Sequence, residues 1–266
     1  MTVSTATGTA TAARGPLLGL GIQILLLGGL AVTAGLSLAG WFAGIAYAIV
    51  VCLFLITGLQ RTGMSALGPA NQVTLGRAIL VGGVTALAVT SLTADIPRPV
   101  LVTLIGVALA LDGVDGQVAR RTGSTSALGA RFDMEIDAFL ILVLSVFIGD
   151  RFGWWTVAIG AFRYAFVAAS WALPWLTAAL PPRFSRKVVA ALQGVVLVTA
   201  TAGLLPYGVA RSAVIVALAS LTWSFGRDIR WLARHERQRR TAVTVRLPVV
   251  VPSPHRTLRR DPQPVG

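Results

Sequence analysis

Ten acidic residues occur among 266, and five of them fall within 26 positions: Asp112, Asp115, Asp133, Glu135 and Asp137 in DGVDGQVARRTGSTSALGARFDMEID. Apolar runs flank this stretch, GVALAL before it and AFLILVLSVFIG after it. A carboxylate at the bilayer centre costs roughly 3 kcal/mol, so acids at the ends of apolar helices need a partner that holds them there. Asp112 and Asp115 are three apart, Asp133 and Asp137 four apart, and on helices each pair projects from one face. Gly116, Gly123 and Gly129 are expected to break the chain between the pairs, so that two helices fold back as a hairpin. Four carboxylates then converge near one membrane surface and repel each other unless cations sit between them. Ligands that are all oxygen favour Mg²⁺, Mn²⁺ or Ca²⁺ over zinc. Four negative charges suit two divalent ions, an arrangement used for in-line displacement at phosphorus. Glu135 lies about 200° around a helix from Asp133 or Asp137 and is left outside the metal shell.

Long apolar helices must position these acids. A mean hydropathy of +0.76, 55% hydrophobic residues and only 12% charged residues describe a polytopic membrane protein. The net charge of +13 comes almost wholly from arginine, with Lys187 the single lysine. It reads as positive-inside bias and attraction to anionic lipid heads, with no nucleic-acid partner. Cys52 is the single cysteine and lies in an apolar run, so no internal disulfide forms.

Eight spans are expected, near residues 16–38, 41–59, 78–92, 100–118, 132–148, 154–175, 188–205 and 212–225. Their lengths suit a bilayer core. The first span is read as uncleaved, because it is longer than a typical signal-peptide core. The fold class is an all-α polytopic membrane helix bundle, a six-helix catalytic core plus two extra N-terminal transmembrane helices. Residues 1–15 are read as a disordered tail, 16–59 as the extra helices, 60–234 as the core and 235–266 as a basic, Pro-rich disordered tail. Arginine counts put residues 60–77, 119–131, 182–187 and the C-terminal tail on one side. Both termini and the acidic site are therefore assigned to the cytoplasm.

The pattern Asp112-x2-Asp115-Gly116-x2-Ala119-Arg120-x8-Gly129-x3-Asp133-x3-Asp137 resembles the signature of the CDP-alcohol phosphatidyltransferase family at every fixed position. Upstream, Pro69-x-Asn71-x2-Thr74-x2-Arg77 is similar to that family's entry to its first core helix, and the resemblance extends over about residues 69–227. It implies phosphoryl transfer from a CDP-alcohol to an acceptor hydroxyl with CMP leaving, aided by two divalent ions, Mg²⁺ or Mn²⁺. Asp112, Asp115, Asp133 and Asp137 would hold the metals, and Asp137 would also act as general base. Asn71, Thr74, Arg77, Asp112, Gly116, Ala119, Arg120 and Ser126 would line the CDP site. For Ser126, a turn-forming hydroxyl is an equal reading. The resemblance also implies a homodimer.

The acceptor is less defined. Arg163 inside its span, with Arg183, Arg186 and Lys187 in the following loop, could take a phosphorylated acceptor such as glycerol 3-phosphate or inositol phosphate. Arg163 could equally be a structural partner for an acid, and positive-inside bias alone accounts for the loop cations. CDP-diacylglycerol is the preferred donor, because a site at the bilayer surface admits a lipid sideways. A CDP-choline or CDP-ethanolamine aminoalcohol phosphotransferase is the alternative within the chemistry. A divalent-cation channel or transporter is the alternative of another class. Such a channel does not need Gly116, Ala119, Arg120 and Gly129 at fixed offsets.

Overall fold

The computed structural model describes residues 4–122 and 126–245. The described chain is all helix: α1 Ser4–Ala34, α2 Leu38–Thr62, α3 Pro69–Thr90, α4 Arg98–Thr122, α5 Ala127–Phe147, α6 Gly149–Phe152, α7 Val157–Ala172, α8 Phe184–Ala202 and α9 Tyr207–Val245. Short 3₁₀ turns at Trp154–Thr156 and Pro174–Thr177 flank α7. Local sequence explains several boundaries. The Ser37 hydroxyl accepts the Gly40 N–H at the start of α2, and Pro69 opens α3 where no amide hydrogen is needed. Gly63 and Gly203 end α2 and α8 at φ of 67° and 72°, a backbone conformation that side chains disfavour.

Helix α3 is the hub and packs against α1, α2, α4 and α5. In lipid, apolar burial does little to draw helices together; close packing and interhelical hydrogen bonds carry that task. Both occur here. Gly160 of α7 meets α5 so closely that a Cβ there would lie 2.3 Å from Leu142 Cα and 2.7 Å from Ser145 Oγ. Thr156 donates to the Ser145 carbonyl at 2.8 Å, and Gln193 of α8 donates to the Ala217 carbonyl of α9 at 2.9 Å. The outer surface is apolar, with Leu25, Val32, Phe42 and Val195 exposed as a lipid-facing surface requires.

Among the described residues, five helical stretches are long and apolar enough to cross a membrane, within α1, α2, α3, α8 and α9, marking an integral membrane protein. The other expected spans differ for visible reasons. Helix α5 carries Arg131, Asp133, Glu135 and Asp137 in its first three turns, and the 16 residues of α7 reach only about 24 Å.

Three expectations change. Helix α1 starts at Ser4, within the segment read as a disordered tail; that segment is rich in alanine, the strongest helix former. Helix α4 runs unbroken through Gly116 and α5 through Gly129, so neither glycine breaks the chain. Helix α9 continues through the boundary drawn at residue 235, because the arginine-rich stretch has no helix breaker before Pro248. Gly123 and the tail at 246–266 lie outside the described residues.

The close approach at Gly160 leaves backbone, not a flexible tip, in the way. Gly160→Ala is expected to lower the melting temperature in detergent, at a cost of roughly 1–3 kcal/mol for overpacking. Gly28→Ala, where a Cβ would meet nothing within 4 Å, is the matched control and should be neutral or slightly stabilising. Equal melting of the two variants would refute the tight α5–α7 contact.

Candidate active site

The first turns of α3 set the site. Asn71, Thr74 and Arg77 recur at three-residue steps and are all buried, so their face points into the bundle. Arg77 is 1% exposed and is held by carboxylates from two other helices. Its Nη1 donates to Asp112 Oδ1 of α4. Its Nη2 donates to Asp133 Oδ1, to the Asp133 carbonyl at 3.3 Å and to Asp137 Oδ1 at 2.9 Å, all on α5. A buried guanidinium needs such partners, and its planar fork suits several carboxylate oxygens at once.

The three acids come together as their spacing predicts. Each of Asp112, Asp133 and Asp137 offers a carboxylate oxygen within 4.8 Å of the others. Their side chains are 45%, 39% and 53% exposed against 2% for Arg77, so the guanidinium backs the cluster and the acids front it. Three carboxylates and one guanidinium leave a formal charge of −2. At such separations each like-charged pair repels by roughly 3 kcal/mol at an intermediate dielectric, less where water screens it. An all-carboxylate donor set with that residual charge fits a hard divalent cation such as Mg²⁺ or Mn²⁺. The side chains of Asp115, Gly116, Ala119 and Arg120 lie outside the described residues.

Gly129 has a role that its spacing does not reveal. A Cβ there would lie 2.2 Å from Asn71 Oδ1 and 3.0 Å from Ser126 Oγ, so any side chain at this position would have to displace the buried Asn71 carboxamide. The Ser126 hydroxyl accepts the Gly129 N–H at 3.0 Å and caps α5, which is the turn-forming reading of that residue. Thr74 donates to the Ala70 carbonyl of its own helix at 3.1 Å. Arg77, expected to meet a nucleotide diphosphate, has the three carboxylates as its described partners.

The four acceptor candidates are not gathered into one cluster. Arg163 of α7 donates to Glu135 Oε1, and its Nη1 lies 3.3 Å from Met134 Sδ. Glu135, set aside on helical geometry, is thus an ion-pair partner of α7 on another face of α5. Arg186 donates to the Pro181 carbonyl and stands 3.9 Å from Asp228, Arg183 precedes α8 as its N-cap, and Lys187 is exposed.

Arg163 nevertheless shares a space with the acids. A cavity of about 750 Å³, bounded by α4, α5, α7, α8 and α9, is lined by Asp112 and Asp137 as well as Arg163. Its remaining walls are largely apolar, with Leu109, Ile141, Leu144, Ile159, Val198 and Phe225 among them. Gln193 also lines it; the residue is 3% exposed and its Oε1 has no hydrogen-bond partner. Sequence reasoning passed over Gln193, although a carboxamide inside the apolar run VVAALQGVVLV was the available signal.

The family model described as CDP-alcohol phosphatidyltransferase matches residues 67–224. No curated protein and no solved structure matches the chain. The matched range begins just before α3 and ends within α9, so it contains the acidic cluster, Arg77 and all the cavity lining but Phe225, and omits α1 and α2.

Metal binding can be read without turnover. Protein stripped with EDTA should melt higher after Mn²⁺ or Mg²⁺ is restored, by an amount equivalent to about 2.7 kcal/mol at a hundredfold excess over the dissociation constant. Asp133→Asn should lose most of that rise. An unchanged rise in the variant would place the cation elsewhere.

Proposed function

This chain belongs to the CDP-alcohol phosphatidyltransferase family, and within it we propose an enzyme that moves a phosphatidyl group from CDP-diacylglycerol to an acceptor hydroxyl in phospholipid synthesis. The observation that carries the choice of a lipid donor is the large apolar cavity that begins at Asp112 and Asp137. Its walls suit acyl chains, while the carboxylates at its end suit a diphosphate drawn in with divalent cations.

In the proposed reaction the acceptor oxygen attacks the β-phosphorus of the CDP-alcohol. The bond from that phosphorus to the bridging oxygen breaks, and CMP leaves with the oxygen. Two ions, Mg²⁺ or Mn²⁺, held by Asp112, Asp115, Asp133 and Asp137, would neutralise the diphosphate and the departing CMP. Asp137 takes the proton from the attacking hydroxyl. It has the most exposed side chain of the three clustered acids and lines the cavity, which supports contact with an incoming acceptor. Arg77 fixes the carboxylates from behind, and Asn71, Thr74, Gly116, Ala119, Arg120 and Ser126 form the surroundings of the nucleotide. Arg163 borders the same cavity and is the leading acceptor cation; Arg183, Arg186 and Lys187 are secondary candidates. Residues 60–234 form the catalytic core, the protein works as a homodimer, and the acids face the cytoplasm.

The test uses purified protein with Mg²⁺ or Mn²⁺, CDP-diacylglycerol and a panel of alcohols, with CMP release as the readout. Asp137→Asn should lower kcat at least a thousandfold, about 4 kcal/mol in barrier, in protein that melts like the wild type. CMP release from CDP-choline with diacylglycerol, and none from CDP-diacylglycerol, would select the aminoalcohol reading, in which the cavity takes the acceptor lipid instead.

Arg163→Ala should raise the acceptor KM by tenfold or more while the donor KM stays within twofold, because a buried charge contact is worth roughly 2–5 kcal/mol on truncation. Glu135→Gln, which removes only the ion-pair partner, should change the acceptor KM much less. Equal effects of the two substitutions would make Arg163 a structural partner of Glu135 alone.

A further inference from the structure

A second polar cavity lies at the opposite end of the bundle. It measures about 140 Å³ and is lined by Asp95, Arg98, Asp150, Arg151 and Thr201, among others. Arg98 opens α4 and lies 14 residues, about 21 Å of helix, from Asp112, so this cavity is separate from the acidic cluster. The Thr201 side chain is 2% exposed and its Oγ1 has no hydrogen-bond partner.

The two guanidiniums converge. Arg98 Nη1 and Arg151 Nη1 lie 3.5 and 3.7 Å from the point where a Cβ on Gly203 would sit. Both are therefore within 3.7 Å of one point and at most about 7.2 Å apart, a spacing that one phosphate can bridge with two charge-assisted hydrogen bonds. Neither arginine forms an ion pair among the described residues; the Arg151 guanidinium lies 5.1 Å from the centre of the Phe152 ring. The C-terminal end of α8 attracts them, but a helix end carries only about half a charge. Asp95 and Asp150 line the same cavity and also have no ion-pair partner among the described residues.

Two unpaired cations and two unpaired anions around one small cavity describe the complement of a zwitterion. We propose that this cavity binds a phosphoethanolamine group, its phosphate between Arg98 and Arg151 and its ammonium toward Asp95 and Asp150. A balanced lining disfavours a purely anionic headgroup, which would meet the two carboxylates. A choline group brings no N–H to donate to them. Phosphatidylethanolamine at the membrane surface and free phosphoethanolamine share this chemistry.

The experiment places the full chain in nanodiscs of phosphatidylcholine doped with phosphatidylethanolamine or phosphatidylglycerol and counts retained lipid by native mass spectrometry. A parallel arm adds soluble phosphoethanolamine. Wild type should retain phosphatidylethanolamine at least tenfold over phosphatidylglycerol, and displacement by soluble phosphoethanolamine would make the free headgroup sufficient. Arg98→Gln with Arg151→Gln should abolish the retention, while CMP release stays within twofold of wild type. Asp95→Asn with Asp150→Asn should reverse the preference toward phosphatidylglycerol, a readout that a merely unfolded variant cannot give. Equal retention of the two lipids by wild type would overturn the proposal, as would a preference that survives the double arginine substitution.

Discussion

A single buried guanidinium ties the acidic cluster to the core. Arg77 stands on α3, which packs against α1, α2, α4 and α5, and binds Asp112 from α4 and Asp133 and Asp137 from α5. Removing it would leave three acids facing one another with nothing behind them. Removing the acids would leave a guanidinium in a space that is almost wholly closed to water. Each side is untenable without the other, so the relative placement of three helices and the geometry of the cluster are one problem with one solution. The surplus of carboxylates over guanidinium then gives the front of the cluster its appetite for a hard cation.

The same constraint governs what surrounds the cluster. Where α5 meets α3, the missing side chain of Gly129 leaves room for Asn71 Oδ1. Because the acids emerge toward α8 and α9 rather than toward α1 and α2, the apolar cavity forms on that side. Charge chemistry and a large apolar space are therefore adjacent, as the proposed reaction on a lipid donor requires.

Much of this was legible in the chain. The three- and four-residue spacings of the aspartates place them on helix faces, and the face rule puts Glu135 elsewhere, where it meets Arg163. The apolar runs locate the helices but not all their ends, since α1 and α3 start earlier and α9 runs further than the apolar stretch, and the all-α membrane bundle follows from them. Other features were not readable, because they depend on which helices become neighbours. Gly129 looks like a chain breaker, yet it sits inside α5 and serves as a point of close approach. Arg77 looks like a ligand for phosphate, yet its described partners are carboxylates distant in sequence. Arg163 carried two readings, and only the position of α7 against α5 gives it Glu135. Gln193 and the charged cavity beyond α8 are invisible to periodicity, since nothing in a helical pattern says that an amide oxygen will lack a partner or that Arg98 and Arg151 will meet.

The cavity beside the acids takes its described lining from α4, α5, α7, α8 and α9 and none from α1, α2 or α3. For the proposed reaction this has a kinetic meaning. The nucleotide lipid that enters and the phospholipid that leaves carry the same pair of chains, and both must lie in the same space. They are rivals for it. A fresh donor cannot seat its chains until the finished lipid has slid back into the bilayer, so turnover is tied to the local ratio of the two lipids in the membrane. The enzyme would slow itself as its own product accumulates around it, without any second site devoted to feedback.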